Sequence, residues 1–99
     1  MAQPIFKVFL AKPSAAWYQL SNEEQTALLG KVSSTLEQVG ATSIVTCSSG
    51  WASEQWSFWG VEQYPDLEAL QKHDQLLNEV NWFRYVESTT TLGVTMSAA

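Results

Sequence analysis

The chain contains one histidine, His73, the only side chain whose unperturbed pKa lets it exchange a proton near neutral pH. Any general acid or base chemistry that uses an imidazole must therefore use this residue. It shares the apolar stripe of a predicted helix with Leu70, Leu77 and Val80. Asp74 projects about 100° away around that helix, so the two residues are not a ready dyad. Two interpretations follow: His73 is catalytic, or it fills a half-buried helix position with one nitrogen hydrogen-bonded nearby.

Aromatic side chains form the second group that could bind a ligand, with five Trp, three Tyr and four Phe among 99 residues. Rings in loops beside a sheet can clamp an apolar molecule while indole N–H and phenol O–H groups orient it. An arginine can hold a carboxylate or enolate oxygen, or cap helix carbonyls. The alternative for the rings is core packing and a dimer interface, where the same residues are enriched. The predicted ligand-binding residues are Trp17, Tyr18, Trp51, Trp59, Arg84 and Tyr85.

The remaining polar residues suggest no cofactor. Lys7 and Glu87 are predicted to face each other on adjacent strands, as a structural ion pair or as a polar contact at a pocket floor. Cys47 has no cation near it in sequence and is expected to be an inert strand residue. One Cys and one His cannot build a multi-ligand Cys/His metal site, and no glycine-rich phosphate loop is present. No metal or organic cofactor is therefore expected.

Composition excludes several classes of partner. The formal net charge is -5, and the five basic residues are scattered along the chain, so nucleic acid and anionic membranes are not expected as partners. The single cysteine excludes an intrachain disulfide and fits a reducing, cytoplasmic setting. A length of 99 residues predicts one domain, residues 1–99.

The first half of the chain predicts a strand, a helix and a strand. Residues 5 to 12 form an apolar strand that Pro13 ends. Ser21 followed by Glu24 is the pattern of a capping box, and the helix after it runs to about residue 39, where Gly40 supplies a left-handed stop. Residues 42 to 48 are rich in β-branched side chains and predict the second strand.

The second half predicts the same order again. Strand 3 covers residues 55 to 62, Pro65 and Asp66 open the second helix, and strand 4 runs from residue 85 to about residue 96. The resulting order, βαββαβ, predicts an α+β ferredoxin-like fold with two helices on one face of a four-stranded antiparallel sheet. Strands 1 and 3 would be central, in agreement with their apolar residues on both faces.

A face of the predicted sheet is left without helices. We place Ile5, Phe9, Trp59 and Val61 on this face, and monomers seldom expose contiguous apolar patches of such size. The economical solution is a homodimer that packs sheet against sheet, with the long strand 4 reaching toward the partner.

Two stretches resemble known families. Glu62, Tyr64, Asp66, Glu68, Ala69, Leu70 and His73 resemble the dimeric α+β barrel superfamily, which includes the antibiotic-biosynthesis monooxygenases. Trp51, Glu54 and Trp56 to Glu62, followed by residues 81 to 85, are similar to a small uncharacterised family of dimeric ferredoxin-like proteins. The resemblance implies a dimer, a ligand cleft between the sheet and the helices, and chemistry without metal or organic cofactor. Many monooxygenase members carry a further histidine where this chain has Leu77 and Asn78.

These observations lead to one hypothesis and two alternatives. The leading hypothesis is a homodimer that binds a small, largely apolar molecule in an aromatic-lined cleft, as a cofactor-independent monooxygenase or isomerase with His73 as its catalytic residue. The first alternative is a non-catalytic dimeric structural or binding module with no small-molecule substrate. The second is haem binding through His73.

Overall fold

A computed structural model describes residues 3–96 as a four-stranded antiparallel sheet with helices on one face. The elements in chain order are β1 (Ile5–Pro13), α1 (Ala15–Tyr18), α2 (Asn22–Gln38), β2 (Thr42–Ser48), β3 (Phe58–Tyr64), α3 (Leu67–Glu79), α4 (Trp82–Tyr85) and β4 (Val86–Gly93). The sheet order is β2-β3-β1-β4, which confirms the ferredoxin-like prediction and the central place of β1 and β3. The two short helices α1 and α4 were not among the predicted elements.

Local sequence signals set the ends of the two long helices. The amide of Glu24 donates to Ser21 Oγ over 3.1 Å, and the amide of Ser21 donates to Glu24 Oε1 over 2.9 Å, so the predicted capping box is present. These bonds lower the pKa of Glu24. Gly40 has φ +72° just after α2. The carboxylate of Asp66 accepts from the amide of Ala69 over 2.8 Å and so caps α3.

The strand register corrects the predicted sheet faces. Phe9 pairs with Gly60 and Ile5 with Tyr64, so both side chains lie on the face that the helices cover, not on the open face where we placed them. Trp59 and Val61 do lie on the open face. β1 is apolar at both parities, and the sequence pattern alone therefore cannot say which set faces the helices. The helix-free face carries Phe6, Val8, Leu10, Val45, Trp59 and Val61.

Two strand ends also differ from the prediction. β3 begins at residue 58 and not at residue 55, because Ser53 Oγ accepts hydrogen bonds from the amides of Gln55 and Trp56 over 3.3 and 3.0 Å. The two amides therefore form hydrogen bonds within a turn and are not part of the strand ladder. β4 ends at Gly93, opposite Phe6, and does not reach Met96.

The predicted pair of Lys7 and Glu87 is wrong. Lys7 lies opposite Leu92, whereas Glu87 lies opposite Lys12 on the other face, with 4.0 Å between Lys12 Nζ and Glu87 Oε2. A register offset of five residues separates the two positions, and nothing in the sequence of these strands specifies it. Lys7 instead lies across from Glu62.

The core of the described residues is small and contains ionisable groups. Its buried polar or charged residues include Glu62 and His73, which are 9% and 2% exposed. The buried apolar residues are Ala11, Leu28, Tyr64, Leu70, Leu77 and Val86. Within residues 3–96, no helix is long and apolar enough to cross a membrane.

Candidate functional site

Four polar side chains, Lys7, Glu62, Tyr64 and His73, meet beneath the helices, and we call them the polar cluster. The hydroxyl of Tyr64, which is fully buried, donates to Glu62 Oε1 over 2.6 Å. The hydroxyl oxygen of Tyr64 also lies 2.9 Å from His73 Nδ1. Lys7 Nζ stands 3.9 Å from Glu62 Oε1, at the long end of an ion pair. The cluster thus joins two central strands to α3.

The fold brings these residues together through one pairing between central strands and one strand-to-helix connection. Lys7 and Glu62 are directly paired across β1 and β3. Glu62 and Tyr64 are two residues apart on β3, so their side chains share a face. Asp66 caps α3, which begins three residues after Tyr64. His73 lies on the buried side of α3, as the sequence predicted.

Burial sets the protonation of the cluster. Burial raises the pKa of Tyr64 far above its usual value of 10, and the bond to Glu62 adds to the effect, so the phenol keeps its proton. Burial also lowers the pKa of His73 to about 4, and the charge of Lys7 adds to this shift. His73 is therefore a neutral imidazole at neutral pH. Its Nε2 is buried and has no hydrogen-bond partner among the described residues.

A cavity of about 340 Å³ lies between the cluster and the helices. Its volume is near the lower end of the range for small-molecule sites. Three apolar residues of α2, Leu29, Val32 and Leu36, line this cavity, and Leu29 is 50% exposed. The cavity is lined by Lys7, Phe9, Ala11, Leu29, Val32, Ser33, Leu36, Ser43, Thr46, Phe58, Glu62, His73, Leu77, Trp82, Phe83, Val86, Ser88 and Thr90.

Two wider depressions of about 540 and 520 Å³ lie on the outside of α2 and α3. They contain none of the polar cluster and are more open to solvent than the cavity beneath the helices. The smaller, more enclosed cavity is the better candidate for a ligand site because buried apolar walls surround convergent polar groups.

The structure brings His73 into the cavity wall, but none of the six predicted ligand-binding residues lines this cavity. Trp51 is 86% exposed, and its Nε1 donates to the carbonyl of Ser48 over 3.1 Å. Trp59 lies half-buried on the helix-free face. Their role in ligand binding stays a prediction.

The other four predicted residues lie on the short helices. Trp17 is half-buried and Tyr18 is 70% exposed, both on α1. Arg84 and Tyr85 lie on α4, where the guanidinium carbon stands 5.9 Å from the phenol ring centroid. Ser14 Oγ donates to the carbonyl of Arg84 over 2.7 Å, which ties the start of α1 to α4.

Sequence reasoning missed the connection between Glu62, Tyr64 and His73. We named the three residues together in a family resemblance but predicted no contact among them. The available signal was their spacing of two on a strand that runs directly into a helix bearing the sole histidine. Trp82 and Phe83 of α4, which line the cavity, were also not predicted as site residues.

Haem binding through His73 would have to use Nε2, because Nδ1 is held by Tyr64. Nε2 is buried, so this alternative stays a prediction. Within the part of the chain that the structure describes, no group of three or more His, Cys, Asp or Glu residues is placed to hold a metal ion.

Residues 7–99 match the sequence model of a family of unknown function, DUF6616. The chain belongs to this family. None of the curated proteins matches it. The DUF6616 chain has the ferredoxin-like α+β fold that the resemblance implied.

Several solved structures have a fold similar to that of this DUF6616 chain. A mutant chlorite dismutase from Candidatus Nitrospira defluvii has a TM-score of 0.78 at 13% identity, over 99% of this chain and 42% of that one. The putative chlorite dismutase TA0507 has a TM-score of 0.74 at 17% identity, over 99% and 47%. The methylated RPA0582 protein has a TM-score of 0.70 at 18% identity, over 99% and 84%. The chain therefore spans less than half the length of the two dismutase chains.

Proposed function

We propose that this protein is a homodimer that binds a small, largely apolar molecule in the cavity between the sheet and the helices. One observation carries the proposal: the apolar stripe of α2 and the inner sheet face enclose about 340 Å³ next to a neutral histidine. Apolar walls with a few convergent polar groups and a perturbed pKa are typical of ligand sites.

The site also supports a role for His73 in turnover. A neutral imidazole has a lone pair that can accept a proton from a bound ligand, and both isomerisation and cofactor-independent oxygenation can begin with such a step. The residue lines the cavity and is the one histidine of the chain. We do not extend the activity of the chlorite dismutases to this chain, because identities of 13 and 17% support the fold alone.

The helix-free face supports the dimer. Val8 is 39% exposed at the centre of this face, between half-buried Phe6 and Leu10 and opposite Val61. An apolar patch on a central strand needs a cover, and a second copy of the same sheet supplies one with matching shape. A cytoplasmic setting belongs to the same proposal, supported by the single cysteine.

Five of the six predicted aromatic and arginine residues remain proposed contacts for the part of a ligand outside the cavity, whereas Trp59, on the helix-free face, stays a proposed contact on the other side of the sheet. The short helix that carries Arg84 and Tyr85 also carries Trp82 and Phe83, which line the cavity. Trp17 and Tyr18 on α1 lie beside this helix. Trp51 and Trp59 are farther along the sheet and complete the proposed set.

Blocking the cavity tests the proposal. Ser33 lines the cavity and Ser34, the next residue of α2, does not, although both are exposed serines on one helix. We expect Ser33→Trp to abolish binding of small aromatic compounds that calorimetry detects for the unmodified protein, while Ser34→Trp leaves binding unchanged. Equal binding by both variants would place the ligand elsewhere, and no binding by the unmodified protein would favour the non-catalytic module.

A further inference from the structure

We infer that the polar cluster fixes His73 in one tautomer, so that the cavity selects neutral ligands carrying a single O–H or N–H donor. This inference rests on the proposed function and names the chemical class of its ligand. It follows from counting the hydrogen atoms that the cluster can supply.

Glu62 is the starting point of the count. As a carboxylate beside Lys7 it has no proton to give and only accepts hydrogen bonds. The Tyr64 hydroxyl has one proton, and the 2.6 Å contact with Glu62 Oε1 uses it. Toward His73, 2.9 Å away, the Tyr64 oxygen can then only accept.

The proton between Tyr64 and His73 must therefore come from the imidazole. Nδ1 carries the hydrogen, and in a neutral ring Nε2 is then a bare lone pair. Nε2 is buried without a partner in the described part of the chain, which is costly for a polar atom inside a protein. A ligand in the adjoining cavity that donates one hydrogen bond to Nε2 would remove this cost.

The same geometry disfavours other ligand classes. An anion would face the lone pair of Nε2 and the carboxylate of Glu62, and Lys7 is the one cation on the cavity wall. A fully apolar ligand would leave Nε2 unsatisfied. The acceptor character of Nε2 depends on Tyr64, which touches no cavity occupant and is a positioning residue.

The tautomer can be measured without any ligand. Because the chain has one histidine, a nitrogen-15 spectrum of the tag-free protein contains a single pair of imidazole nitrogens. At neutral pH we expect Nδ1 protonated and Nε2 unprotonated, and Tyr64→Phe should move the ring to the other tautomer or to an average of the two. An Nε2–H tautomer in the unmodified protein would overturn the inference, whether or not the variant folds.

Ligand selection is measured with two probes, 2-naphthol and 2-methoxynaphthalene. In the second probe a methyl group replaces the donor hydrogen of the first. We expect 2-naphthol to bind about tenfold more tightly, and its binding to shift the Nε2 resonance. Tyr64→Phe should reduce this preference. If both probes bind equally well, the inference fails while the proposed function stands. If neither binds, the cavity is not a site for such compounds and both fail.

Discussion

Acidification should destabilise this protein through His73. The pKa of its imidazole is about 4 in the folded chain and 6.5 as a free side chain, because burial and the charge of Lys7 disfavour the cation. Below pH 6.5 the unfolded chain therefore binds a proton that the folded chain does not. The free energy of unfolding consequently decreases as the pH is lowered. At about 1.36 kcal/mol per pKa unit, the loss is about 2 kcal/mol by about pH 5 and at most about 3 kcal/mol by about pH 4.

The matched control is His73→Asn, which keeps an N–H donor near the position of Nδ1 and carries no titrating group. Urea unfolding of both proteins across this pH range gives two stability profiles. The carboxylates titrate in both, so their contributions cancel in the difference. We expect the two profiles to be parallel above about pH 7. By about pH 5 the unmodified protein should have lost about 2 kcal/mol of unfolding free energy relative to the variant. Profiles that stay parallel down to about pH 4 would refute the stated ionisation of His73.

Two further substitutions test the sheet. A Cβ at Gly60 would stand 2.6 Å from a ring carbon of Phe9 on the cavity side. We expect Gly60→Ala to lower the unfolding free energy by about 2 kcal/mol in urea titrations, whereas Gly30→Ala, with nothing within 4 Å, should raise it by up to about 1 kcal/mol. Val8→Lys on the helix-free face should convert the proposed dimer to a monomer in light-scattering measurements, and Leu67→Lys, an exposed helix position, should not. A dimer that survives Val8→Lys would place the interface elsewhere.

Sequence patterns predicted the elements well where a local signal was complete. The Ser21 and Glu24 pair and the glycine at position 40 each specify their own geometry within a few residues. The sheet order followed in the same way, since only two strands are apolar at both parities and only central strands need to be. The two helix-end signals depend on near neighbours in the chain, and the sheet order depends on the apolar pattern of whole strands.

Contacts between distant strands were not predictable on the same basis. Which parity of β1 faces the helices is decided by packing of the whole sheet, so Phe9 was placed on the wrong side and Lys7 was given the wrong partner. His73 was identified because it is unique, but its bond to Tyr64 needed the angle at which α3 leaves β3. The cavity itself arises from helix placement, which no residue pattern encodes.

The polar cluster has an uneven distribution along the chain. Glu62, Tyr64 and His73 all lie within one strand-to-helix unit, with a separation of nine residues between the hydrogen-bonded tyrosine and histidine. Much of the apolar cavity wall comes instead from α2 and α4, outside that unit. Substitutions on those helices can change the size and shape of the acceptable molecule without disturbing the hydrogen bonds. The hydrogen-bonding groups and the residues that set the size and shape of the cavity are thus encoded largely in separate segments, and each set can diversify while the other is kept.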